Sequence, residues 1–197
     1  VEAYQIGTTT YSTTGRNLGV DLKYAGEFNG VRVAFGIGWE KFEGNGDGVL
    51  NSGNCAAISG DSTCLRTEQW GGSLALMHVP TGLFVQGDYL SGEHTSTAYA
   101  GTRDTERWII QAGLVRNFFG IGNTTLYGEF GSAEGWLEAK NLWIGGDSVD
   151  WWGLGIVQQI DAAAMDLYLG YRNFDASISG LPVHEIGVLT AGARIKF

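Results

Sequence analysis

The chain has 197 residues, 32 of them Gly and only 2 Pro, with a net charge of −9 and 44% hydrophobic residues. That length fits one domain, the acidic balance argues against a nucleic-acid partner, and no run of about 18 apolar residues exists to form a transmembrane helix. Seven Trp, eight Tyr and nine Phe are many aromatics for a mean hydropathy of −0.03. A membrane-crossing strand needs only about 9–11 residues with every second one apolar, which such averages hide. The sequence opens on Val1 without an export signal, as expected of a processed or truncated product.

Residues 1–12 alternate poorly and allow at most one further strand. From 18 to 28, Leu18, Val20, Leu22, Tyr24 and Phe28 share one face, and Asp21, Lys23 and Glu27 take the other. That is the period-2 pattern of a strand with one greasy and one wet side. Asn29-Gly30 is a two-residue hairpin signal. Val31, Val33, Phe35, Ile37 and Trp39 then alternate with Arg32, Ala34, Gly36 and Gly38. The stretch 43–67 is rich in Gly, Ser and Asn and holds Cys55 and Cys64. Their spacing suits neither a CxxC redox pair nor a zinc site, and predicts a short-loop disulfide in an oxidising compartment. In Asn45-Gly-Asp-Gly48, Asp47 is the candidate ligand for a loop-bound calcium, although the rest of an EF-hand series is absent.

Further strands follow. Leu74 and Leu76 precede the Pro80-Thr-Gly82 turn; Leu83, Val85 and Tyr89 come after it, opposed by Gln86 and Asp88. Trp108, Ile110, Ala112 and Leu114 oppose Arg107 and Gln111, and Leu126 and Phe130 oppose Thr125 and Glu129. Trp152, Leu154 and Ile156 oppose Gly153 and Gly155; Leu167, Leu169 and Tyr171 oppose Asp166 and Arg172. Leu189, Ala191, Ala193, Ile195 and Phe197 alternate with Thr190, Gly192, Arg194 and Lys196 to the last residue. About ten strands are expected.

The connections alternate in length. Those near 29–30, 80–82, 118–123 and 161–163 are short, and those near 43–67, 91–106, 131–148 and 175–185 are long. Short periplasmic turns and long external loops are the signature of an outer-membrane barrel, with both termini periplasmic. The long stretches hold eleven acids, among them Glu43, Asp61, Glu93, Asp104, Glu106, Glu134, Asp147 and Asp175, against only Arg66, Arg103 and Lys140. Such an acidic mouth concentrates small cations.

The wet faces define the candidate pore lining: Asp21, Lys23, Arg32, Gln86, Asp88, Gln111, Glu129, Asp166, Arg172 and Arg194. Small inward residues (Gly19, Ala34, Gly36, Gly38, Ala75, Gly113, Gly153, Gly155, Gly170, Gly192) suit a wide, water-filled lumen; Phe84, Ile109 and Tyr168 argue for a narrower one. Trp39, Phe42, Trp70, Tyr89, Trp108, Trp151 and Trp152 fall at the loop ends of their strands, as an interfacial girdle requires. Trp39, Trp108, Trp152, Tyr171 and Phe197 are the expected membrane-interface anchors, and a carbohydrate-binding platform is the rival use of these rings. His78, at a strand end, and His94 and His184, in loops, lack a nucleophile motif or metal spacing, so no enzyme activity and no cofactor is expected.

The segment Asp166-Leu-Tyr-Leu-Gly-Tyr-Arg-Asn173, followed by Ala191-Gly-Ala-Arg-Ile-Lys-Phe197, resembles the end of Gram-negative general porins of the alphaproteobacterial type. Trp152-Gly-Leu-Gly-Ile-Val-Gln-Gln-Ile-Asp161 is similar to the preceding strand of that family. The match is specific over 150–197 and diffuse over 17–150. The resemblance implies a transmembrane antiparallel β-barrel of sixteen strands, a homotrimer in contact with outer-membrane lipid and lipopolysaccharide, passing small hydrophilic solutes and ions. Sixteen strands exceed this length, so the chain is expected to be the C-terminal part of a larger barrel rather than a complete ten-stranded one. The alternative is a narrow closed outer-membrane barrel with an adhesion, structural or ligand-binding role, or, further off, an outer-membrane protease.

Overall fold

The structure is a computed structural model that describes residues 2–6, 9–13, 15–45, 64–96, 101–135, 138–139, 142–143, 147–178 and 182–195. It is all-β apart from one 3₁₀ turn at Asp161–Ala163. Nine long strands form one antiparallel sheet: β1 (Gly15–Phe28), β2 (Val31–Asn45), β3 (Cys64–His78), β4 (Leu83–Ser96), β5 (Gly101–Arg116), β6 (Thr124–Glu134), β7 (Ser148–Ile160), β8 (Met165–Ser177) and β9 (Ile186–Ile195). Each pairs with its neighbours in sequence, so the sheet is a meander. Its outer strands, β1 and β9, are not paired with each other, and the sheet is open.

The start of the chain differs from expectation. Instead of a tenth strand of the sheet, Glu2–Ile6 pairs only with Thr9–Thr13 as a separate short hairpin. Another small pair joins Glu138–Ala139 to Leu142–Trp143. The strands also run past the ends of the apolar pattern. The longest, β5, has 16 residues, against the about 9–11 that cross a bilayer. Glu43, Glu93, Asp104, Glu106, Glu134, Asp175, Arg66 and Arg103, expected in loops, therefore belong to strands. Polar residues continue a ladder because backbone pairing needs only N–H and C=O groups; hydropathy alone ends the strand too early.

The turns follow their local chemistry. Asn29 (φ 49°) and Gly30 (φ 78°) are both left-handed, as a two-residue hairpin between twisted strands requires. Gly82 (φ 75°) closes the next turn, and its carbonyl accepts a 2.9 Å hydrogen bond from the Val115 N–H of β5.

Register sorts the side chains into two faces. One row of facing residues runs Gly26, Val33, Leu76, Val85, Ala112, Gly128, Leu154, Tyr171, Leu189, through all nine strands. Nothing in it is charged. The neighbouring row on the opposite face runs Ala25, Ala34, Ala75, Gln86, Gln111, Glu129, Gly153, Arg172, Val188. Among the described residues no second layer covers either face. Among the described residues the only fully buried side chain is that of Thr124, while Leu189 is 71% exposed and Phe130 61%.

On the polar face, bulky rings lie across facing glycines. A Cβ on Gly113 would collide with the Phe84 ring, one on Gly155 with Tyr127, one on Gly131 with Trp151, and one on Gly192 with Tyr168. Each glycine is the register partner of its ring, except that Tyr127 also faces Gly113. The rings cover backbone that would otherwise be bare, which offsets the usual weakness of glycine in a strand. Gly155→Val should therefore displace Tyr127 and destabilise the protein by about 1–3 kcal/mol, the range for overpacking. Gly19→Val, whose Cβ meets nothing nearer than 3.6 Å, should cost less. Urea unfolding of the two variants measures the difference; equal midpoints would mean the ring does not rest on Gly155.

Candidate functional site

All ten expected lining residues, Asp21, Lys23, Arg32, Gln86, Asp88, Gln111, Glu129, Asp166, Arg172 and Arg194, share the polar face. The register also brings many of them together. Gln86 Nε2 donates to Gln111 Oε1 at 2.7 Å, and Gln111 Nε2 donates to Glu129 Oε2 at 3.3 Å. On its other side Glu129 accepts from Arg172 through Nε and Nη2. The intervening residue on β7 is Gly153, where a Cβ would stand 3.0 Å from Glu129 Oε1. A side chain there would crowd the path from Glu129 to Arg172.

Each cation of this set has a carboxylate. Lys23 pairs with Asp21 at 3.0 Å, Arg32 with Glu27 at 2.8 Å and Arg194 with Asp166 at 2.6 Å; Arg107 pairs with Asp88 at 2.7 Å. In the last strands the acid lies beneath and the guanidinium above. The Asp166 side chain is 3% exposed and that of Arg194 70%; for Glu129 and Arg172 the values are 6% and 44%. Several hollows lie between these groups, among them two flanked by charged pairs. One of about 620 Å³ is lined by Lys23, Ser73, Gln86, Asp88 and Gln111, among others, and one of about 260 Å³ by Tyr127, Glu129, Tyr168 and Arg172, among others.

The expected small inward positions all fall on this face, and so do Phe84, Ile109 and Tyr168. Phe84 and Tyr168 do not narrow it as free side chains would, because both rings lie over glycines. Trp39, Trp70, Tyr89, Trp108, Trp152 and Tyr171 lie on the apolar face, with the rings of Trp70 and Tyr89 tilted against each other at 5.3 Å and those of Trp152 and Tyr171 at 5.6 Å. Phe42 and Trp151, grouped with them from sequence, fall on the polar face instead. Trp151 packs over Gly131 and against Phe174, 6.3 Å away. Strand parity assigns these two residues correctly; nearness to a loop end does not.

His94 is not in a loop. It lies in β4, with Nδ1 3.0 Å from Thr67 Oγ1 on β3 and Nε2 3.1 Å from Thr105 Oγ1 on β5. Sequence alone gave no sign of this three-strand clamp, since the partners meet only through register. At the loop end of the apolar face, Glu68 accepts from Arg66 Nη2 at 3.1 Å and from Trp39 Nε1 at 3.2 Å. These two donors, Arg66 foremost, hold its carboxyl below the usual carboxylate range. Asp47, Cys55 and Phe197 lie outside the described residues. Cys64 opens β3 opposite Asn45, and its pairing with Cys55 is likewise outside them.

Removing the buried charge tests the Glu129 network. Glu129→Gln should lower stability by about 1.5–3 kcal/mol, the range for hydrogen bonds to charged groups. Asp21→Asn, whose partner is 78% exposed, should stay within about 0.5 kcal/mol. Unfolding midpoints that move equally would remove any special role for the Glu129–Arg172 pair.

The fold and the site thus rest on this chain's own geometry, for no family model matches its sequence and no curated protein does either.

Proposed function

We propose that this chain is part of the wall of a transmembrane β-barrel in a bacterial outer membrane: a porin through which small hydrophilic solutes and ions diffuse. The observation that carries the reading is the apolar face, unbroken across nine strands and covered by no second layer among the described residues. A soluble surface carries scattered apolar side chains, not a continuous sheet of them. Lipid is the solvent in which that face costs nothing, and the row of Trp and Tyr at its loop end suits the headgroup boundary. No described helix is long and apolar enough to cross a membrane, so the crossing would be made by strands.

The polar face supports a water-filled lumen over a packed one. Its glycines and the rings over them leave hollows, and its charges are paired without closing them. In hydrocarbon every backbone group needs a partner, so the free edges of β1 and β9 must be paired in the membrane. Further strands, completing the sixteen that the porin resemblance implies, would supply those bonds. On this proposal the assembly is a trimer seated among lipid and lipopolysaccharide.

Two measurements test the reading. Folded protein in detergent should migrate apart from boiled protein on a gel, and Leu169→Arg, at mid-strand on the apolar face, should cost about 2–4 kcal/mol. Detergent-free, monodisperse protein that tolerates this substitution would overturn membrane residence. In planar bilayers the complete protein should give stable conductance steps, and the acidic mouth should give a salt gradient a cation-selective reversal potential. Silent bilayers at high dose would overturn the channel; an anion-selective sign would overturn only the role given to the mouth.

A further inference from the structure

We infer that the 260 Å³ hollow on the polar face between β6 and β9 is a subsite for a single neutral, hydroxyl-rich ring, the pyranose unit of a sugar. The inference rests on the pore reading only for how the solute arrives; the recognition chemistry is local.

Two of the rings that line the hollow serve as platforms. Tyr127 leans over Gly155 and Tyr168 over Gly192. In each case the hydroxyl end of the ring lies over the glycine, and Tyr168 is 40% exposed. The electron-rich face of an aromatic ring attracts the slightly positive C–H groups of an apolar ring edge. Sugars present such C–H faces, with hydroxyls around the rim.

The floor between the platforms is bare. Gly170 lines the hollow, and a Cβ built there would meet nothing nearer than 3.8 Å, from Leu154 O and from the Tyr127 hydroxyl. Space for a side chain exists and is left unused. The volume is below the about 300–1,000 Å³ of drug-sized pockets, which suits one ring and not a chain of them.

The polar groups suit a neutral ligand. Arg172 is held by Glu129 through two of its nitrogens, while its guanidinium has five N–H donors. Its side chain is 44% exposed, so donors remain for hydroxyl oxygens in a fixed direction. Thr190, also in the lining, adds a hydroxyl that can donate or accept. Because Glu129 already matches the charge of Arg172, an anionic ligand would have to compete with it. The larger hollow beside Lys23 has the polar groups, but no polar-face ring lines it.

The test uses the whole chain refolded in a detergent without a sugar headgroup, titrated with methyl α-glucopyranoside and followed by saturation-transfer NMR. Transfer to the ring C–H protons should be saturable in the millimolar range. Tyr168→Ala should weaken it by about three- to tenfold, the worth of one aromatic contact, and Tyr127→Phe, which keeps the ring, should weaken it less. Gly170→Val fills the floor without removing any packing, so it should abolish saturation while the folded gel band persists. Gluconate at equal concentration should show less transfer. No saturable transfer to the unaltered chain, or undiminished transfer to Gly170→Val, would overturn the subsite. Silent bilayers with intact saturable transfer would overturn the pore and leave the subsite standing, and the reverse result would do the opposite.

Discussion

One antiparallel hydrogen-bond ladder carries the whole structure. A usual domain buries its sheet against a second layer, but among the described residues neither face has one, and side-chain burial is correspondingly slight. Every position in space follows from which residue faces which across a strand pair. Because the side-chain period is two, a slip of one residue would move every apolar side chain to the wet face. The two rows that cross all nine strands without mixing show that the register is consistent from β1 to β9.

The polar face depends on that register in a second way. Arg172 and Glu129 lie two strands apart and meet because Gly153 is the residue between them. Phe84, Tyr127, Trp151 and Tyr168 can lie over the facing strand because their register partners there are glycines. Small residues here are therefore not merely vacant positions. Some hold open the path for an ion pair, some carry a ring, and Gly170 does neither and leaves a hollow. Three roles for one residue type explain how a wall can be both well packed and indented.

The edges set the remaining physical demand. Among the described residues β1 and β9 each present a row of backbone groups on one side without a strand partner. In water such edges invite association with other chains; in hydrocarbon they are excluded. A membrane reading therefore ties the function of the chain to the strands that complete the sheet. The strand extensions beyond the aromatic row raise a different question of environment. Glu68 faces Glu93, which faces Asp104, and Glu106 faces Glu134. Like charges directly opposite are unfavourable, and water or salt at the loop ends tolerates them better than a buried site would.

The alternation of Leu18, Val20 and Leu22 with Asp21 and Lys23 determined by itself that this segment is a strand with one wet face, and Asn29-Gly30 determined where it turns. The same parity placed all ten expected lining residues on one polar face, because alternation along a strand is a local property of the pleated backbone. Position along the strand, taken in place of parity, misassigns Phe42 and Trp151. The extent of the strands was not legible either, since polar residues such as Glu93 and Asp104 pair as well as apolar ones and leave no mark in hydropathy. Only the tertiary structure decided which residue faces which, and so produced the Glu129–Arg172 pair, the His94 clamp and the hollow over Gly170. These join residues on different strands, and their contacts depend on the sum of turn lengths between them, which no single segment of sequence contains.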